Sequence, residues 1–550
     1  MYTQEPLHHF AADYLGYLHE SEPTGATFDG VHAHDDLLED LSRPALDARI
    51  HHLAGLARRL QAIDPGTLTP AERVEKPVLA GSLAARLFEL EEIRVWERDP
   101  RAYADLLGLS LAPQLLLPYA PPDERARRVL SKLRQVPSFI AAARANVADP
   151  AGPFIKAALE TFRGVRTLID RDLPRAFAEV DDHWLLSDLA DASTDASAAI
   201  AAYVTWLEHD AAPKARSSFR IGPKAFARKL EIEERLTLDL DRVQAVALRE
   251  LALAQDEFRR VAGRIGKGPA IDIWRGVRAR HPGPGEVGPA LRERIEALAR
   301  FVARADLVTL PPPVDVAIRP APAFRQWSLA SVWAAGPFEG RPVPAVFLVA
   351  DVDRQWSAER QDGHLRDLNE ASLWSTAMSE AYPGRFLQME RLRQLPFGFR
   401  KSLATSSRAF LDGWAHYAAH AAVEAGFGAN DPAVRLGQTS DALLHLARLI
   451  VCVRLHAEDL SVEQGVRFLA DEAYLEEAAA RREAERATFD LSGPASVLGK
   501  LMILKLRADH QAKVPGVTLR SHHDALLSQG TLPLWAHRQL LLGADGALVD

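Results

Sequence analysis

Apolar residues at spacings of three and four constrain the fold of this chain more than any other feature of its sequence. The longest such stripe consists of Leu240, Val243, Ala247, Leu251, Ala254, Phe258, Val261 and Ile265. These spacings place the side chains on one face of a long helix, which ends near Gly263 and Gly266. The same spacing recurs at residues 291–302 and 443–453. The sequence therefore predicts a mainly α-helical protein.

Two stretches depart from helical periodicity. Residues 266–288 contain Gly-Lys-Gly-Pro and His-Pro-Gly-Pro-Gly runs, which are typical of a connection between lobes. The next stretch is interrupted by prolines and contains short runs of β-type residues at Val314–Ile318, Ser331–Trp333 and Ala345–Val349. These runs predict a small β-sheet.

The predicted organisation has three parts. Residues 1–265 form an N-terminal helical lobe, residues 266–310 form a connecting segment with a helix, and residues 311–550 form a C-terminal lobe that contains the sheet. We expect a deep cleft between the two lobes.

Charge and cysteine content exclude several classes of protein. The chain has 66 Lys and Arg against 74 Asp and Glu, a net charge of −8, so we predict no nucleic-acid partner and no membrane partner. Cys452 is the only cysteine, which excludes an internal disulfide and a Cys-x-x-Cys metal site, and its apolar surroundings predict burial. The N-terminus lacks the basic and apolar segments of a secretory signal, and no apolar stretch reaches the roughly 20 residues of a spanning helix. These features predict a cytoplasmic protein.

A polar stripe near the C-terminal third consists of Asp412, His416, His420 and Glu424. Residues spaced four apart share one helical face. A histidine pair at this spacing can bind a metal, so a peptidase that uses His416 and His420 as metal ligands stays open as an alternative. The simpler interpretation is an exposed polar face.

The segment Met378–Gln388 reads Met-Ser-Glu-Ala-Tyr-Pro-Gly-Arg-Phe-Leu-Gln. It resembles the signature His-Glu-x-x-Pro-Gly-His of a large bacterial family of zinc-peptidase-like proteins of unknown function. In that family a Glu-Gly-Trp-Ala segment follows, and its counterpart here is Asp412-Gly-Trp-Ala415. The resemblance covers nearly the whole chain, through further segments at 26–35, 219–222, 363–369, 455–464 and 523–533.

The resemblance implies a large helical, zincin-like fold with the small sheet beside the signature helix. It also implies a zinc bound by two imidazoles and a carboxylate, with a glutamate as the base that activates the metal-bound water. Here Ser379 and Arg385 replace the two histidines, Asp412 replaces the acidic ligand, Ser496 replaces a tyrosine, and only Glu380 matches. Serine is a poor zinc ligand, and a guanidinium has no lone pair to offer. We therefore expect no metal and no cofactor at this site.

Two neighbouring carboxylates without a dication need another positive charge. We predict that Arg385 supplies it between Glu380 and Asp412. The first functional hypothesis is a metal-independent ligand-binding protein, or pseudo-peptidase, that binds a small-molecule or peptide-like ligand with an anionic group. The predicted ligand-binding residues are Ser379, Tyr382, Asp412, Tyr417 and His456.

A second hypothesis is a repurposed, metal-independent enzyme. In this alternative Glu380 is the general acid or base and Arg385 is an electrostatic clamp.

Overall fold

The computed structural model describes residues 6–549, except residues 238, 326, 354 and 397. The described chain is mainly helical, with 70% helix and 3% strand, which confirms the predicted fold class. Helices α1 to α14 span Leu7–Ser21, Pro23–Asp29, Arg43–Ala62, Pro70–Phe88, Val95–Arg98, Pro100–Leu116, Pro122–Asn146, Gly152–Thr167, Leu173–Ala176, His183–Trp206, Pro223–Glu234, Leu240–Ile265, Ala270–Arg278 and Val287–Arg304. Helices α15 to α25 span Ala358–Asp367, Glu370–Glu380, Arg385–Arg393, Gly398–Lys401, Arg408–Glu424, Pro432–Ala457, Val462–Glu472, Glu477–Arg486, Gly493–Lys513, Leu519–Leu527 and Leu534–Leu542.

Short turns of other helical types connect several of these helices. They are 3-10 turns at Pro65–Thr67, Ala212–Lys214 and Ala323–Arg325, and π-helical turns at Glu89–Ile93, Leu168–Asp172 and Leu207–Ala211. None of the helices within the described part of the chain has the length and apolar character needed to cross a membrane.

Helix α12 confirms the stripe predicted from the sequence. The side chain of Asp239 accepts a hydrogen bond from Arg242 N at 2.6 Å and so caps the first turn. Within the stretch 266–288, where the sequence predicts a connection between lobes, the chain forms the short helix α13. Trp274 and Val277 of α13 are buried in the core that α12 helps to form, and this burial stabilises a helix between the turns.

The predicted sheet is present, with three strands in the order β1-β3-β2. Strand β1 (Val316–Pro320) runs parallel to β3 (Ala345–Val349), and β2 (Ala330–Trp333) runs antiparallel to it. The first strand begins two residues after its predicted start, whereas the runs predicted at Ser331–Trp333 and Ala345–Val349 are confirmed.

Alternate residues of β3 join two different apolar cores. Val346 and Leu348 pack with the N-terminal helices, whereas Ala345, Phe347 and Val349 pack with α14 and α16. This alternation follows from the two-residue period of a strand. The sheet therefore lies beside α16, as predicted. The three-part division and the cleft between lobes stay predictions.

Helices α19 and α23 approach each other so closely at Gly413 and Gly499 that neither position has room for a side chain. A Cβ atom added to Gly499 would lie 1.8 Å from the carbonyl oxygen of Ala409, and one added to Gly413 would lie 2.6 Å from Gly499 Cα. The two glycines therefore set the distance between these helices, and with it the position of the residues that α19 contributes to the site.

Candidate functional site

The break between α16 and α17 brings the chain back on itself. A Cβ atom at Gly384 would lie 1.9 Å from the carbonyl oxygen of Ser379, so the reversal requires glycine. The indole Nε1 of Trp414 donates hydrogen bonds to the carbonyl oxygens of Pro383 and Gly384, at 3.1 and 3.3 Å. The Pro-Gly break and the Asp-Gly-Trp-Ala segment thus hold each other in place.

This arrangement places Arg385 between Glu380 and Asp412, as predicted. Arg385 Nη2 donates to Asp412 Oδ1 at 2.7 Å, and Arg385 Nε lies 3.5 Å from Glu380 Oε1. The backbone N of Val332 in β2 donates to Glu380 Oε2 at 3.2 Å. The side chains of Arg385, Glu380 and Asp412 are 24%, 18% and 18% exposed, so solvent reaches the cluster.

Electrostatic interactions stabilise the charged forms of this cluster. Burial opposes the charge on Arg385, but Glu380 and Asp412 outweigh it and raise the pKa of the guanidinium. Burial also opposes the charge on Asp412, yet Arg385 holds the pKa of that carboxyl below its usual value. Both side chains therefore stay ionised at neutral pH.

Two further arginines adjoin the cluster, and the sequence patterns did not predict either of them. Arg408 Nη1 lies 3.7 Å from Asp412 Oδ2, and its side chain is 69% exposed. The Nε atom of Arg325 is buried and donates to no acceptor among the described residues. Burial lowers the pKa of Arg325, although Asp105 and Glu380 partly offset this effect.

A cavity of about 260 Å³ adjoins this cluster, because Arg408, which contacts Asp412, also lines the cavity. Its apolar wall includes Phe154, Phe219, Phe226 and Phe489. Two of the segments that carry the sequence resemblance, at 219–222 and 455–464, contribute to the wall. Segments far apart in the sequence thus meet at one cavity.

Two predicted ligand-binding residues lie next to the cluster. Ser379 Oγ donates to the carbonyl oxygen of Thr376 at 3.2 Å, so the hydroxyl is used within its own helix. Tyr382 is partly buried with its ring edge-on to Phe386, and burial raises its pKa to about 12.

Two other predicted ligand-binding residues, Tyr417 and His456, do not belong to the cluster. Tyr417 is fully buried; its hydroxyl lies 2.8 Å from His523 Nε2 and accepts from Arg507 at 3.1 Å. Five residues along a helix turn about 140°, so Tyr417 faces away from Asp412. His456 lines the cavity instead; its Nε2 lies 2.8 Å from the carbonyl oxygen of Ala487, and burial lowers its pKa to about 4.

Only Glu424 of the polar stripe on α19 is exposed, which corrects the simpler interpretation that the whole stripe is an exposed polar face. His416 is only 3% exposed and its ring stacks on His445 with ring centroids 4.5 Å apart. His416 Nε2 lies 3.4 Å from Lys500 Nζ, and His445 Nδ1 lies 2.9 Å from Ser496 Oγ. Burial lowers the pKa of Lys500 to about 8.

The side chains around His416 do not favour a metal at His416 and His420. Within the part of the chain that the structure describes, no three or more His, Cys, Asp or Glu side chains are placed to hold a metal ion. The peptidase alternative that uses the two histidines therefore lacks a third ligand there. His445 was not predicted, although the i, i+4 spacing of Asp441 and His445 was a usable signal.

Comparison with known proteins identifies relatives of the whole chain. A family model described as "Bacterial protein of unknown function (DUF885)" matches residues 23–540. A structure described as a "putative lipoprotein of unknown function" from Shewanella oneidensis is 23% identical, with a TM-score of 0.77, and the match covers 97% of this chain and 99% of that one. A "putative lipoprotein" from Colwellia psychrerythraea is 16% identical, with a TM-score of 0.80, and the match covers 97% and 98%. At these identities the likeness shows the fold alone. No curated protein matches the chain.

These descriptions correct one prediction. Lipoproteins are anchored to a membrane by a lipid, whereas the N-terminal sequence predicted a cytoplasmic protein. The prediction of a cytoplasmic location is therefore wrong. None of the matched descriptions mentions a zinc peptidase.

Proposed function

Because the chain belongs to the DUF885 family of bacterial proteins of unknown function, we propose a function from its site: a metal-independent ligand-binding protein. In this proposal it is a pseudo-peptidase, descended from a zinc-peptidase-like ancestor. Its ligand is a small-molecule or peptide-like compound with an anionic group.

One observation carries the proposal: a guanidinium lies between the two acidic side chains. Arg385 contacts Asp412 at 2.7 Å and Glu380 at 3.5 Å. A guanidinium has no lone pair for a metal, and the hydroxyl of Ser379 is a poor zinc ligand. The residues present therefore do not fit the zinc site that the sequence resemblance implies, and a side-chain cation contacts both carboxylates instead.

The anionic character of the ligand is supported by Arg325 and Arg408 rather than by Arg385. The charge of Arg385 is already offset by Glu380 and Asp412. In contrast, Arg325 Nε donates to no described acceptor, and Arg408 keeps most of its side chain in solvent. A carboxylate or phosphate bound there would form charge-assisted hydrogen bonds, the strongest kind available to these donors.

We expect the wild-type protein to bind zinc only substoichiometrically, and a variant with restored ligands to bind one zinc per chain. The variant is Ser379→His with Arg385→His, which adds two imidazoles near Asp412 and removes the competing cation. The measurement is metal content by mass spectrometry after incubation with zinc and dialysis. The double variant Ser379→Ala with Arg385→Ala is the matched control and should gain none. One zinc held tightly by the wild-type protein contradicts the proposal.

We expect N-acetyl-L-phenylalanine to bind in the presence of EDTA, and its uncharged amide to bind at least tenfold more weakly. One charge-assisted hydrogen bond contributes about 1.5–3 kcal/mol, and about 1.4 kcal/mol corresponds to tenfold in affinity. Arg325→Gln and Arg408→Gln should each weaken binding of the acid by about tenfold in isothermal titration calorimetry. Arg163→Gln, at a surface ion pair elsewhere, is the control and should leave affinity unchanged.

The anion hypothesis fails if the acid and the amide bind equally, or if a panel of N-acetylated amino acids shows no saturable binding. Catalysis by Glu380 stays an alternative prediction. Its carboxylate contacts the N of Val332 and Arg385 Nε at 3.2 and 3.5 Å, and a general acid or base must lie within hydrogen-bond reach of the proton it transfers.

A further inference from the structure

We propose that the cavity beside the ion-pair cluster binds a small organic amine. In this site the carboxyl group of Glu234 receives the ammonium group of the ligand, and the aromatic wall holds its apolar body. The inference does not depend on the proposed function, because it uses a different side chain and a ligand group of opposite charge.

Glu234 has a buried carboxyl group, and one of its two oxygens makes no hydrogen bond within the described chain. It is the last residue of α11, is 5% exposed, and lines the cavity. Its Oε1 accepts a hydrogen bond from Ser407 Oγ at 2.6 Å, and the backbone N–H groups of Ala409 and Leu534 lie near the carboxyl and lower its pKa. Its Oε2 is buried and has no hydrogen-bond partner of normal geometry among the described residues. Buried polar atoms rarely lack a partner, so a donor on a ligand in the cavity would satisfy this oxygen.

The other carboxyl groups of the cavity wall already have a cation. Glu89 and Glu233 both contact Lys229, Asp99 contacts Arg101, and Asp490 contacts Arg486. Among the carboxyl groups on the described part of the wall, Glu234 alone has no cationic side chain within 4 Å. A cationic group on the ligand would therefore find its counter-charge at Glu234.

The rest of the wall suits an apolar body of limited size. Phe154, Phe219, Phe226 and Leu236 line the cavity, and aromatic faces also attract an ammonium group. Its volume of about 260 Å³ lies just below the roughly 300–1,000 Å³ of sites for drug-sized ligands. A monoamine with a phenyl or branched alkyl group is the class of ligand that fits.

The protonation state of Glu234 makes binding depend on pH. Burial raises its pKa to about 8, and Glu233 on the same helix raises it further, although the Ser407 hydroxyl and the backbone N–H groups of Ala409 and Leu534 oppose this shift. The other titratable groups of the wall include Arg408 on α19, His456 on α20 and Asp490 before α23. In the free protein at pH 7 the Glu234 carboxyl is mostly protonated.

An ammonium ligand needs the carboxylate, so its binding releases a proton at pH 7. Alkylammonium groups have a pKa of roughly 10, so they stay charged through this range. We therefore expect the affinity to rise by up to about tenfold per pH unit as pH rises towards 8, and to level off above it.

The test is isothermal titration calorimetry with 2-phenylethylamine at pH 7 and pH 8, in buffers of different ionisation enthalpy. We expect saturable binding, proton release at pH 7, and binding of 2-phenylethanol at least tenfold weaker. Glu234→Gln should weaken amine binding at least tenfold and abolish the proton release. Glu231→Gln, which removes a surface carboxylate of the same helix that is paired with Arg228, should change neither.

Ser407→Ala separates binding from folding, because it removes the donor to Glu234 and keeps the carboxyl group. This variant should retain amine binding, and thermal unfolding confirms that each variant is folded. The inference is overturned if the amine and the alcohol bind equally, or if folded Glu234→Gln binds the amine like wild type. It is also overturned if neither 2-phenylethylamine nor isoamylamine binds, whatever N-acetyl-L-phenylalanine does.

Discussion

Replacement of Arg385 by alanine is expected to lower the free energy of unfolding by about 3 kcal/mol. The variant leaves Glu380 and Asp412 side by side without the guanidinium that contacts both. Breaking a buried ion pair costs about 3–5 kcal/mol, and the partial exposure of these side chains places the effect at the lower end. Urea denaturation at pH 7 measures it.

The matched control is Arg408→Ala, which removes the other cation that contacts Asp412. Its side chain is 69% exposed and lies 3.7 Å from the carboxylate, so we expect a loss of only about 0–1 kcal/mol. A larger loss for Arg408→Ala than for Arg385→Ala contradicts the role given to Arg385.

Acidification should reduce the difference between wild type and Arg385→Ala. Arg385 lowers the pKa of Asp412 in the folded protein, so the stability it contributes is present above the unfolded pKa of this carboxyl and is lost as pH falls. Without Arg385 the carboxyl of Asp412 loses the neighbouring cation that lowers its pKa. The folded pKa of Asp412 lies below its usual value of 3.8, so unfolding measured from pH 5 down to pH 2 should show the two proteins converging.

Replacement of Gly499 by alanine is expected to cost about 3 kcal/mol or more, or to prevent folding. The added Cβ would lie 1.8 Å from the carbonyl oxygen of Ala409 and 2.8 Å from Gly413 Cα, so α19 and α23 would have to separate. Overpacking typically costs about 1–3 kcal/mol, and a clash with two backbones cannot be relieved by turning a side chain. Thermal unfolding and soluble yield measure the effect.

Gly263→Ala is the control, because this glycine also lies within a helix but has no atom within 4 Å of an added Cβ. Alanine is the better helix former, so we expect it to stabilise the protein by up to about 1 kcal/mol. Equal effects of the two substitutions would show that helix propensity, and not the contact between α19 and α23, determines the outcome.

Residues close in sequence allowed the ion-pair cluster to be predicted. Glu380 and Arg385 flank one Pro-Gly break, and the charge of Asp412 requires a cation if no metal is bound. The ion-pair cluster does not include Tyr417, because about 140° of rotation separates this residue from Asp412 on α19, and its role in ligand binding stays a prediction. The interpretation that His416 lies on an exposed polar face was wrong. Spacing defines which residues share a helical face, but it does not show whether other helices cover that face.

The sequence by itself determined the helices, the short strands and the glycine and proline positions where the chain reverses, because these follow from backbone geometry over a few residues. Only the tertiary structure decided where Glu234 and Arg325 lie. Glu234 meets Ser407 across 173 residues of chain, and Arg325 has Asp105, Glu380 and Arg408 as charged neighbours. Such contacts depend on which helix faces pack together, and local spacing carries no information about that packing.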